Sequence, residues 1–203
     1  MIAIVDYGVG NIFSLSSSFK SIGADAALTG DKKEIEKADK IILPGVGAFA
    51  DAADKLKRSG LFSFLQEQCA GGKPMLGICL GMQLLFEKSY EYGESEGLGL
   101  IKGSVKPISE YIEPGLKIPH IGWNSLQFPS EKNELFKYIN EGDFVYFVHS
   151  YHGADCDDSL IASTQYGGTL TAAVADKNVY GTQFHPEKSG ETGLSILKAF
   201  CEL

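Results

Sequence analysis

The chain has 203 residues, 44% of them hydrophobic and 22% charged, with 24 glycines but only 7 prolines. That balance suits one well-buried α/β domain and disfavours disorder. A formal net charge of −8, with no local Lys/Arg cluster to offset it, argues against a surface for nucleic acid. The opening "MIAIVDYG" is briefly apolar without a basic leader, so it reads as a first strand. No apolar run is long enough to cross a bilayer.

The first half alternates strand-like and helix-like patterns. "IAIV" (2–5) leads through the glycine-rich "DYGVGN" into a helical pattern carrying Ile12, Leu15, Phe19 and Ile22. That turn lacks the third glycine of a dinucleotide fingerprint, and no acidic residue clearly ends the second strand. It therefore reads as a tight β-to-α turn with Asn11 capping the helix. "DAALT" (25–29) and "KIILPG" (40–45) are the next strands, and helical stretches follow around 50–58 and 61–70. "PMLGI" (74–78) then leads to a helix expected from about Leu80 to Lys88. The rhythm predicts parallel strands covered by helices on both faces. In the second half, "GSVKPI", "KIPHIGWNSLQF", "DFVYFVHSY", "LIASTQY", "LTAAVAD" and "VYGTQFHPE" are strands joined by turns, and a helix from about Glu191 closes the chain. The expected fold is α/β, a central mixed and mostly parallel sheet to which the second half adds antiparallel strands.

Chemistry enters at Gly77-Ile78-Cys79-Leu80-Gly81, where a strand becomes a helix. A cysteine between glycines at such a bend is the sulfur version of a nucleophile elbow. The sharp turn projects the sulfur, small flanking residues avoid clashes, and the helix's free N–H groups favour a thiolate. The Leu80 N–H would point at the oxygen of a carbonyl under attack. A second glycine-rich turn, Pro44-Gly45-Val46-Gly47, offers an N–H near Val46 as a further oxyanion donor if it lies beside Cys79; otherwise it is a plain connection. Gln83 shares the helical face of Cys79, as a substrate contact or an interior amide.

A thiol nucleophile needs a base, and there are four histidines: His120, His149, His152 and His185. In "TQFHPEKS", Pro186 holds His185 extended, and residues two apart in an extended chain share a side, so Glu187 can orient the imidazole. His120 and His149 read as packing or positioning residues, and His152 as a loop residue. The cysteines Cys69, Cys79, Cys156 and Cys201 form no C-x-x-C pair, so neither zinc nor a disulfide framework is expected. Reduced thiols in the cytoplasm are the expectation. A binding or regulatory module with a purely structural Cys79 is the rival from another class.

"LPGVGAF", "GICLGMQLLF", "IPHIGWN", "YFVHSY" and "GTQFHPEKS", in this order and across nearly the whole chain, resemble the class I glutamine amidotransferase family. The resemblance implies a single glutaminase domain over residues 1–203 with a flavodoxin-like fold. It implies a Cys79–His185–Glu187 triad, an oxyanion hole from Leu80 and Val46, and Gly47, Gln83, Ser150 and Tyr151 as substrate contacts. The substrate would be L-glutamine and no cofactor is implied. "DYGVGN", "PGVG" and "PHIGWN" point further, to ammonia delivery to a βα-barrel cyclase subunit that makes imidazole glycerol phosphate and an aminoimidazole carboxamide ribotide. Asn11, Trp123, Tyr146 and Lys188 would then lie at the interface near the ammonia exit. A glutaminase serving another ammonia-using synthase is the alternative, and neither nucleic acid nor membrane is an implied partner.

Overall fold

The computed structural model describes residues 1–10, 12–129 and 131–203. Its first half follows the predicted alternation: β1 (Ile2–Val5), α1 (Ile12–Ser21), β2 (Ala26–Thr29), α2 (Lys32–Lys37), β3 (Lys40–Leu43), α3 (Phe49–Arg58), α4 (Leu61–Ala70) and β4 (Met75–Ile78). Then come α5 (Leu80–Gln83), β5 (Phe86–Ser89), β6 (Ser95–Glu96), β7 (Ile101–Pro107), β8 (His120–Ser125), β9 (Phe144–His149) and β10 (Tyr151–Ala154). The last elements are β11 (Leu160–Gln165), β12 (Thr169–Asp176), β13 (Val179–Thr182) and α6 (Gly190–Cys201). Asn11, expected to cap α1, lies outside the described residues.

A seven-stranded sheet runs in the order β11-β12-β13-β4-β3-β1-β2. Every pairing from β13 to β2 is parallel, while β11 and β12 add the antiparallel part. Side chains alternate strictly across it. Ile2, Ile4, Ile42, Leu76 and Ile78 meet Leu15 and Phe19 of α1 and Ile196, Leu197 and Phe200 of α6 on one face. Ala3, Val5, Ile41, Leu43 and Met75 meet Ile35, Leu56, Leu61 and Leu65 from α2, α3 and α4 on the other. Burial on both faces is why these strands read as unbroken apolar runs. Among the described residues no helix is long and apolar enough to cross a membrane.

Two expectations are corrected. The helix predicted from Leu80 to Lys88 ends at Gln83, after a single turn, and Phe86–Ser89 is a strand paired with β6 and β7. Leu84, Leu85 and Phe86 are all fully buried, so this stretch has no polar face to mark a helical period. Nor do all the later strands join the central sheet. The order β10-β7-β5-β6 forms a second sheet, and β8 with β9 forms a two-stranded ribbon. Alternation specifies a strand but not which edge it meets.

Close approach of three segments at the end of β4 depends on glycine. A Cβ on Gly81 would stand 1.8 Å from the Leu43 carbonyl oxygen, one on Gly77 2.5 Å from the Gly81 oxygen, and one on Gly45 2.7 Å from the Gly81 nitrogen. All of these neighbours are backbone and cannot rotate aside. Gly81→Ala is expected to destabilise the fold by roughly 3 kcal/mol. A urea midpoint unchanged from wild type would contradict the contact.

Candidate active site

Cys79 is the hinge between β4 and α5, with φ 55° and ψ −111°. This is a conformation that a residue with a side chain adopts only at a cost of about 1–3 kcal/mol. It is held there by its own N–H, which donates to the Thr182 carbonyl at 2.7 Å, and by its carbonyl, which accepts from Gln83 N. Because α5 is one turn long, no longer helix dipole stands behind Cys79. Cys79 is 8% exposed, and that exposure opens into a cavity of about 240 Å³. Leu80, Val46, Gly47, Gln83, Ser150 and Tyr151, all singled out in the sequence, line the same cavity.

The register of the central sheet delivers the histidine. Thr182 of β13 lies opposite Ile78 of β4 in a parallel pair, so both strands release their chains at the same end. His185 is extended, with φ −96° and ψ 99°, as a residue before proline must be. The chain then enters a 3₁₀ turn, Pro186–Lys188, so Glu187 reaches the ring by folding back and not by strand alternation. Proline suits the first position of such a turn because it has no N–H to leave unpaired. The result is a 2.7 Å hydrogen bond from His185 Nδ1 to Glu187 Oε1, with both side chains only 3% exposed. Glu187 Oε2 has no hydrogen-bond partner among the described residues. Ser189 Oγ donates to the His185 carbonyl at 2.6 Å and accepts from Tyr146 N, fixing the turn to β9.

Burial alone would lower the His185 pKa. Hydrogen bonding to Cys79 and Glu187, together with their charges, outweighs burial and raises it from the ordinary 6.5 to about 9. The opposite holds for His149 and His120, which burial pushes down to about 3 and about 4. Their tautomers follow from the partners. A carbonyl only accepts, so His149 Nδ1–H donates to the Tyr151 oxygen at 2.9 Å. His149 Nε2 must then accept from His120 Nδ1 at 3.0 Å, and His120 Nε2 from Asn124 at 3.4 Å. Gln83 Nε2 donates to the same Tyr151 carbonyl and to Gln183 Oε1, both at 3.0 Å, and Gln183 Nε2 approaches Cys79 Sγ at 3.8 Å.

His152, expected in a loop, is a buried residue of β10 whose Nδ1 accepts from Thr171 N and whose ring meets Tyr111 edge-on. Glu91 was not anticipated. It lines the cavity and its Oε2 accepts from Phe49 N, yet it sits in the charged stretch "YEYGESEG", where no spacing signals a role. Gln183, two residues before His185, was passed over as strand. Trp123, Tyr146 and Lys188 form one patch beside the His185 turn, and none of them lines the cavity. The two rings lie 6.0 Å apart, Lys188 Nζ stands 5.9 Å from the Tyr146 ring, and Trp123 is 53% exposed.

The raised His185 pKa fixes the sign of a pH effect. Protonated His185 favours the folded state fully below about pH 6.5, and that contribution is lost as pH rises through about 9. The thermal-midpoint advantage of wild type over His185→Gln should therefore shrink between pH 6 and pH 9.5. A constant difference across that range would show that the imidazolium is not stabilised there.

The model of the family "Glutamine amidotransferase class-I" matches residues 3–202. A protein named imidazole glycerol phosphate synthase subunit HisH in Lactococcus lactis is 50% identical over 202 residues, covering 99% of this chain and 98% of its own. One of the same name in Bacillus cereus is 51% identical, covering 98% and 93%. Among solved structures, PurLQS from Thermotoga maritima superposes with a TM-score of 0.77 at 19% identity, covering 99% of this chain and 97% of that one. A crystal structure of a glutamine amidotransferase gives 0.75 at 17% identity, covering 99% and 100%. With a family match running almost end to end on this fold, the chain belongs to the class I glutamine amidotransferases.

Proposed function

We propose that the chain is the glutaminase subunit of an imidazole glycerol phosphate synthase, acting in the cytoplasm. It hydrolyses L-glutamine to glutamate and ammonia and passes the ammonia to a cyclase subunit. The observation that carries this reading is a cysteine held in a strained bend at the wall of a cavity, with an imidazole already paired to a carboxylate beside it. The shared name of the full-length relatives supports that synthase as the destination of the ammonia.

In this reading the proton of the Cys79–His185 pair rests on His185, and Cys79 Sγ attacks the side-chain amide carbon. Negative charge on the amide oxygen is met by the N–H of Leu80 and one near Val46. His185 protonates the leaving nitrogen as the carbon–nitrogen bond breaks, leaving a thioester and ammonia. Water, deprotonated by His185, then cleaves the thioester, releasing glutamate and restoring the Cys79–His185 pair. Glu187 holds the ring's tautomer and balances its charge through the 2.7 Å hydrogen bond. Gly47, Gln83, Ser150 and Tyr151 hold the glutamine, and Glu91 supplies the carboxylate that its α-ammonium needs.

The patch of Trp123, Tyr146 and Lys188 lies next in chain or space to the His185 turn, which suits an interface with the cyclase, a βα barrel in this reading. Asn11 belongs to the same proposal but lies outside the described residues. The two glycines of Pro44–Gly47 allow one oxyanion donor to stay turned away until the partner biases it.

Cys79→Ala should lower ammonia release by about a thousandfold or more. Glu91→Gln should raise KM for glutamine about tenfold while kcat changes little. Release of glutamate should be slow from the isolated chain and fastest from the complex whose cyclase carries its own ligand. Equal rates in all forms would remove the gating and leave the triad standing. Copurification with a different ammonia-using synthase would redirect the ammonia, and undiminished activity in Cys79→Ala would end the glutaminase reading.

A further inference from the structure

The short segment after β3 lies between two cavities. On one side is the cavity that holds Cys79, and on the other a cavity of about 380 Å³ whose walls include Gly8, Gly10, Val46, Gly47 and Lys55. Val46 is 43% exposed, Gly47 has φ +96°, and a Cβ built on Gly47 meets nothing within 4 Å. The middle of the segment therefore has open space beside it on both sides. Its ends are held. The Tyr7 hydroxyl donates to the Pro44 carbonyl at 2.7 Å in a buried contact. Downstream, the α3 cap residue Ala48 offers no side-chain hydrogen bond, and the Phe49 N–H donates instead to the Glu91 carboxylate.

We propose that Tyr7 is a positioning residue for the oxyanion turn: with Glu91 at the far end, its hydroxyl pins the segment so that only the peptides between Pro44 and Phe49 can turn. This rests on the glutaminase reading and deepens it. A carbonyl held by a hydroxyl fixes the plane of the Pro44–Gly45 peptide, and through it the starting direction of the next peptides. Tyr7 itself is 7% exposed and belongs to the core beside Ala3, Val5 and Leu43, so its ring is a rigid post. Tyr7 does not line the substrate cavity, and its hydroxyl hydrogen-bonds the Pro44 carbonyl.

Tyr7→Phe removes the hydroxyl and keeps the ring. In the full chain with its cyclase, ammonia release should lose about tenfold in kcat, less than the loss on deleting an oxyanion donor outright. KM for glutamine should stay within twofold. Alkylation of Cys79 by iodoacetamide, read by peptide mass spectrometry, is a displacement at saturated carbon that develops no oxyanion. It should proceed at the wild-type rate. An unchanged kcat, a change confined to KM, or parallel falls in kcat and alkylation would each overturn the proposal. Hydrogen–deuterium exchange on wild type keeps the test independent of the variant's folding. The Phe49 amide should be protected while Val46 and Gly47 exchange quickly, and equal rates along the segment would overturn it. A wild type that releases no ammonia would sink the glutaminase reading, and exchange would still decide whether the ends are pinned.

Discussion

The parallel pairing of β4 with β13 is the constraint on which the site depends. Thr182 stands opposite Ile78, and the Thr182 carbonyl takes the Cys79 N–H at 2.7 Å, so the bend carrying the sulfur and the segment carrying the imidazole share one edge. A slip of one residue in this pair would turn the side chains of β13 to the opposite face and withdraw His185 from Cys79. The glycines serve the same geometry from the other side. Gly45, Gly77 and Gly81 let β3, β4 and α5 approach to distances at which any Cβ would meet backbone. The cost of the positive φ at Cys79 is thus imposed by neighbours that leave the chain no other path.

Around this edge, buried polar groups are paired in a chain with one direction. From Asn124 through His120 and His149 to the Tyr151 carbonyl, each group's donor or acceptor role is set by the next. Neutral imidazoles suit it, because a charge there would face desolvation without a carboxylate to offset it. His185 has Cys79 on one side and that carboxylate on the other, which is why its pKa moves up when those of His149 and His120 move down. One fold therefore shifts histidines of identical chemistry in opposite directions by the placement of Cys79 and Glu187. The Tyr151 carbonyl also takes Gln83, so the proposed substrate wall is braced from two sides.

Legibility in the sequence varied with how local each feature is. The alternation of the first half gave strands and helices close to their observed limits, because a strand buried on both faces writes a dense apolar run. The end of α5 was misread because Leu84, Leu85 and Phe86 are all interior, and a stretch buried all round carries no period. His152 was misplaced for a related reason: a polar residue inside a strand is indistinguishable from a loop residue until its partners, Thr171 N and Tyr111, are known. Glu91 and Tyr7 left no trace of a role at all, since each acts on backbone groups far along the chain.

The sequence by itself determined what short-range chemistry can specify. Cys79 between glycines requires a bend, His185 before Pro186 requires an extended backbone, and Glu187 is near enough in the chain to reach the ring. Tertiary structure decided how those pieces meet. It made the His–Glu contact through a 3₁₀ turn, sorted the later strands into three sheets, and assembled the cavity from the turn after β3, α5, β9 and β10. The physical reason is that dihedral preferences and side-chain spacing act over a few residues. Strand partners and close backbone approaches are fixed only by the whole packed core.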